Sequence, residues 1–134
     1  MSARTPLFDQ AVARHRAGDL AAAEQLYLET LAEDPQDFRA AYNAGVLMLR
    51  SGRADHALPL LAFVVQRDGS RPQNWLAYVE ALATTGQSDA ALQVIHRLRG
   101  MGLTGQRLDA LEAQASVRKA AELDGAEAEP KATS

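Results

Sequence analysis

The stretch Gly18–Pro35, GDLAAAEQLYLETLAEDP, decides how this chain is read. A helix breaker stands at each end, and the residues between are mostly alanine, leucine and glutamate, which form helices readily. Ala23 and Tyr27 lie four residues apart, so they share one face of the predicted helix, one turn from each other. A small residue beside a large one suits a close helix crossing. The small side chain lets two backbones approach, and the large one fills the space next to the contact. Pro35 ends the segment because it lacks the N–H that a continuing helix would use.

The arrangement returns twice downstream. Gly18, Gly52 and Gly86 stand 34 residues apart, as do Ala23, Ala57 and Ala91. Leu26, Leu60 and Val94 keep the same phase, and so do Tyr27, Leu61 and Ile95. Internal repetition at this length signals stacked supersecondary units. Each unit reads as two helices flanking a glycine that supplies a permissive turn, and helices joined by so short a turn are antiparallel neighbours. Gly45 and Ala57 are the predicted small residues at the crossing of the middle unit. Pro59 falls within that unit's second helix and should bend it or shorten its first turn. Pro72 falls where the next helix begins, a favoured place for proline.

After the third unit, Thr104 is a predicted N-cap, and Leu108, Leu111 and Ala115 recur at helical spacing. This predicts a capping helix over about 104–121. The remainder, 122–134, is polar and acidic and reads as a disordered tail or linker.

The composition excludes several functions. The 134 residues are 47% hydrophobic and 23% charged, as in one ordinary soluble domain. A net charge of −3, spread evenly over the two halves of the chain, argues against nucleic acid as the main partner, since phosphate binding needs a basic face. The absence of cysteine rules out disulfides, thiolate metal sites and cysteine nucleophiles, and it suits a reducing cytoplasm. The apolar run AAYNAGVLML, residues 40–49, is far short of the roughly 20 residues of a membrane span, so no membrane partner is expected. The N-terminal MSARTPLFDQ has no apolar run of the secretory kind.

His15, His56 and His96 occupy unrelated places in the repeat frame and read as solvent-facing, without the convergence that a metal site or a general base needs. Glu33 and Asp34 sit at a helix end and read as solvated surface. No nucleophile elbow, phosphate loop or H-E-x-x-H occurs. No catalysis, metal or cofactor is expected.

The repeats resemble the tetratricopeptide repeat, whose pattern is W-x2-L-G-x2-Y, then A-x3-F, then P. Ala41, Ala44, Gly45, Met48, Ala57 and Leu61 stand at its marked positions in the middle repeat, and Trp75, Tyr78, Val79, Leu82, Ala91 and Ile95 in the third. Leu7, Gln10, Ala11, Arg14, Ala23, Tyr27 and Pro35 stand there in the first. The resemblance implies an all-α fold, a right-handed superhelical α-solenoid of three helix-turn-helix units over about 4–37, 38–71 and 72–103. It implies a non-catalytic module that binds a peptide or protein segment on its concave face. The residues at the ligand-facing positions are Phe8, Val12, Arg39, Tyr42, Asn43, Val46, Leu49, Arg50, Leu76 and Glu80. Two settings stay open. The third repeat and the segment after it resemble the end of the repeat regions that precede bacterial glycosyltransferase-type domains, so that an adjacent catalytic domain of the same polypeptide would be a partner. The outline also resembles free-standing adaptors such as the class II type III secretion chaperones.

Overall fold

The computed structural model describes residues 5–128. Among them are seven α-helices and no strand: α1 (Leu7–Arg16), α2 (Leu20–Glu33), α3 (Phe38–Arg50), α4 (Ala54–Arg67), α5 (Pro72–Thr84), α6 (Ser88–Gly100) and α7 (Gln106–Ala128). The first six fall in pairs inside the three expected repeats. The residues group into two compact units, one ending at Ala77 and the other starting at Tyr78, with the division inside α5.

The glycines spaced by 34 share one backbone geometry. Gly18, Gly52 and Gly86 have φ of 83°, 80° and 84°, the left-handed conformation that glycine adopts without a steric cost. Each turn closes in the same way. The N–H of Asp19, Arg53 or Gln87 donates to the carbonyl of Arg14, Met48 or Leu82, at 2.9, 2.8 and 2.9 Å. A fourth copy ends α6, with Gly102 at φ 97° and Leu103 N–H donating to Leu98 O at 3.0 Å. Aspartates start two of the helices. Asp19 accepts from the N–H of Ala22, and Asp37 from those of Arg39 and Ala40.

In the first unit α1 packs on α2, α2 on α3, and α3 on α4. Ala11, Ala23, Tyr27, Ala40, Ala44 and Leu47 form a buried cluster, with Phe8, Val12, Leu26, Leu31 and Leu60 packed against it. Ala23 and Ala57 are fully buried, as the small-residue reading requires. Tyr27 sits between Phe8, at 5.8 Å between ring centroids, and His15, whose Nδ1 lies 3.1 Å from the Tyr27 hydroxyl. His15 is therefore half-buried rather than solvent-facing. Burial pushes the Tyr27 phenol above its usual range. The atoms nearest Gly45 belong to Leu61, one turn beyond Ala57, so Leu61 is what the glycine makes room for. Pro59 is exposed, and α4 continues past it to Arg67.

In the second unit Leu82, Ala83, Ala91, Ile95 and Leu98 are buried, as are Leu108, Leu111 and Ala115 of α7. Helix α7 packs on α6, and ion pairs flank the contact. Arg99 reaches Asp109 at 2.8 Å and Glu112 at 2.7 Å, and Lys119 reaches Asp89 at 2.6 Å. Helix α7 starts one residue too late for Thr104 to cap it; Gly105, at φ 138°, precedes it instead. It continues to Ala128, so residues 122–128 of the expected tail are helical, and 129–134 lie outside the described residues.

Candidate functional site

A cleft of about 310 Å³ opens in the first unit, lined by Phe8 of α1, by Phe38, Arg39, Tyr42 and Asn43 of α3, and by Asp68, Arg71, Gln73 and Asn74. Four of the ten residues singled out from the sequence meet here: Phe8, Arg39, Tyr42 and Asn43. The three aromatic side chains are half-buried, so they offer apolar surface while staying accessible. The Arg39 guanidinium lies over the Phe8 ring, 4.2 Å from its centroid, a cation–π contact that fixes the arginine against the wall. Asn43 donates through Nδ2 to the carbonyl of Arg39 at 3.0 Å, which leaves its Oδ1 as an acceptor for a ligand N–H.

The facing wall comes from the turn between α4 and α5 and from the start of α5. The turn is pinned at several points. Ser70 donates its hydroxyl to Asp68 Oδ1 at 2.6 Å, and Arg71 Nε lies 3.3 Å from Asp68 Oδ2. Buried Asn74 donates to Asp68 O at 3.0 Å, and Trp75 Nε1 donates to Gly69 O at 2.8 Å. The Ser70 hydroxyl, with help from Arg71 and Asn74, holds the Asp68 carboxyl below its usual range, so it stays ionised and keeps its hold on Arg71.

The other sequence-derived positions lie elsewhere. Val12 packs against the buried cluster. Val46, Leu49 and Leu76 are half-buried and outside the lining. Arg50 lines a separate cleft of about 210 Å³ with Leu20, Ala21, Glu24, Leu47, Ser51 and Arg53. There Arg53 grips Glu24 through both guanidinium ends, at 2.8 and 2.5 Å. Glu80 belongs to the second unit and pairs with Arg107. Phe38, Asp68, Arg71, Gln73 and Asn74 were not anticipated. For the last four the sequence signal was the polar run DGSRPQN at 68–74, where an Asx-type turn meets a helix-starting proline; Phe38 lies outside it, at the start of α3. No group of three or more His, Asp or Glu side chains gathers closely enough among the described residues to hold a metal ion. Among the same residues no helix is long and apolar enough to cross a membrane.

Comparison with known proteins agrees with this architecture. A family model described as Tetratricopeptide repeat matches residues 48–115. The tetratricopeptide repeat-containing protein trd-1 of Caenorhabditis elegans is 30% identical over 110 residues, which are 81% of this chain and 14% of that protein. Human tetratricopeptide repeat protein 7A is 32% identical over 75 residues, 56% of this chain and 9% of the relative. The chain thus spans a small part of the length of both. Among solved structures, the first repeat domain of Spaghetti (RPAP3), bound to an HSP90 peptide, superposes with a TM-score of 0.73 at 14% identity, covering 85% of this chain and 90% of that one. The Yersinia enterocolitica type III secretion chaperone SycD, in complex with a peptide of the translocator YopD, superposes with a TM-score of 0.63 at 18% identity, covering 88% and 91%. At these identities the likeness is one of fold: an all-α helical repeat.

Proposed function

The chain belongs to the tetratricopeptide repeat family, and we propose that it is a non-catalytic interaction module holding a peptide or protein segment in the Phe8–Tyr42 cleft. The observation that carries this reading is the meeting of Phe8, Arg39, Tyr42 and Asn43 around one opening, with apolar walls and a few fixed polar groups. The repeat domain of Spaghetti (RPAP3) bound to an HSP90 peptide and SycD in complex with a YopD peptide share the fold and support the same use of it. Tyr42 and Phe8 are the apolar anchors, Arg39 the charge contact, and Asn43 the group that meets a ligand backbone.

The test is capture of a partner from the native cell on immobilised protein, repeated with Tyr42→Ala. Loss of a central aromatic anchor is expected to cost about 2 kcal/mol of binding or more, roughly thirtyfold in affinity. Unchanged affinity in a variant that keeps its helical circular dichroism would remove the cleft from consideration.

The resemblance of the third repeat to regions that precede bacterial glycosyltransferase-type domains supports a module whose partner is a catalytic domain of the same polypeptide. The fold likeness to SycD supports a second setting, a free-standing chaperone for a secreted segment. The absence of cysteine favours a reducing cytoplasm in either case. Sequencing the surrounding genomic reading frame separates the two: a downstream catalytic domain supports the first, and neighbouring secretion genes support the second.

A further inference from the structure

Two arginines face the cleft, and they are held alike. Arg39 donates from Nε and Nη2 to Asp37 Oδ1 and Oδ2, each at 3.5 Å, and Arg71 Nε lies 3.3 Å from Asp68 Oδ2. Both aspartates are committed elsewhere as well. Asp37 caps α3 through the N–H groups of Arg39 and Ala40, and Asp68 accepts the Ser70 hydroxyl. The members of each pair differ sharply in exposure. The arginine side chains are 62% and 65% exposed, and their aspartates only 12% and 17%. Each pair is formally neutral, yet it covers its negative end and turns its positive end outward. An aspartate on the Nε side of a guanidinium leaves the outer edge of the fork for another acceptor, and carboxylates fit that fork in bidentate fashion. The stacking of Arg39 on Phe8 and the pinned turn that carries Arg71 reduce the entropy that pairing would otherwise cost.

We infer that the cleft selects an extended segment with an internal side-chain carboxylate next to a bulky apolar side chain; this rests on the peptide-binding reading above. The carboxylate pairs with Arg39 and Arg71, and the apolar side chain enters between Phe8, Phe38 and Tyr42. A volume of about 310 Å³ accommodates side chains rather than a whole helix, which is about 10 Å across. An extended backbone leaves its N–H groups unpaired, whereas a helix uses them internally, so it is the extended form that lets Asn43 Oδ1 accept one of them.

The experiment pans the full chain against a heptapeptide library blocked at both ends by acetyl and amide groups, with an unblocked library in parallel. Selected blocked peptides are expected to carry Asp or Glu beside an aromatic or large aliphatic residue. Fluorescence anisotropy on the best of them should show about a tenfold or greater loss when its acidic residue becomes the amide. The Arg39→Gln, Arg71→Gln double variant should show a similar loss and a weaker dependence on salt. Combining the altered peptide with the altered protein should add little, since both remove one interaction. Equal binding of the acidic peptide and its amide counterpart overturns the inference and leaves peptide binding intact. Binders found only in the unblocked library overturn it in favour of a reader of chain ends. No binder from either library would overturn the peptide-binding reading itself. Helical circular dichroism of the double variant shows that any loss belongs to the cleft rather than to the fold.

Discussion

Gly45 and Leu61 approach so closely that a Cβ on the glycine would stand 2.9 Å from Leu61 Cδ2 and Cγ. Leu61 is fully buried and has little freedom to yield. Gly45→Leu is therefore expected to destabilise the fold by on the order of 1–3 kcal/mol or more through overpacking. Leu61→Ala alone should cost about 2–5 kcal/mol by leaving a cavity. Together the two should cost clearly less than their sum, because the new leucine occupies the vacated space. Urea denaturation of the four proteins measures this, and strict additivity would mean that the two residues do not share one space.

A single substitution should act in opposite directions at two glycines. Gly52 has φ 80° and nothing within 4 Å of an added Cβ, so Gly52→Ala feels backbone strain alone, about 1–2 kcal/mol. Gly100 ends α6, has no such φ, and also has open space around it. Gly100→Ala should stabilise by up to about 1 kcal/mol, since alanine is the better helix former. Thermal midpoints moving the same way in both variants would contradict the assigned turn geometry.

Ser88 is 2% exposed, and its Oγ has no hydrogen-bond partner among the described residues. Its counterpart one repeat earlier is Ala54, also buried. Ser88→Ala removes an unpaired polar atom from the interior and should raise stability by about 1 kcal/mol. A fall in the denaturation midpoint would mean that the hydroxyl binds a trapped water.

The depressed pKa of Asp68 makes the turn sensitive to acid. A carboxyl whose pKa is lower in the folded than in the unfolded state contributes stability above about pH 4, and that contribution is lost as pH falls through the folded pKa. The stability gap between the wild type and Asp68→Asn should therefore be constant near neutrality and should shrink below about pH 4. Melts between pH 7 and pH 3 follow it; a gap that widens toward acid would reverse the assigned sign.

The repeat frame was legible because its signals are local. Glycine at every thirty-fourth position imposes one φ, and the alanines at 23, 57 and 91 are buried to the last as the crossing demands. Half of the cleft was legible for the same reason: Phe8, Arg39, Tyr42 and Asn43 follow from repeat phase. Its other wall was hidden because the turn after α4 departs from that phase. There Ser70, Asn74 and Trp75 fold the chain by side-chain bonds that no periodicity announces. Arg50 shows the converse difficulty: its repeat position groups it with the other ligand-face residues, yet it lines a separate cleft with Leu20 and Leu47. Helix α7 outran its expected end because alanine-rich residues near 121 sustain a helix even where the mean composition is polar.

Each glycine turn seals itself with hydrogen bonds reaching back only five residues, as from Asp19 to Arg14. This has a kinetic consequence. A turn of that kind closes before any distant part of the chain is required, and the helices beside it then meet across a very short loop. Chains dominated by such near-neighbour contacts cross small entropic barriers and reach the native state within microseconds to milliseconds. The first helix pair needs nothing beyond residue 34 to close its turn, so assembly can begin while later repeats are still being synthesised.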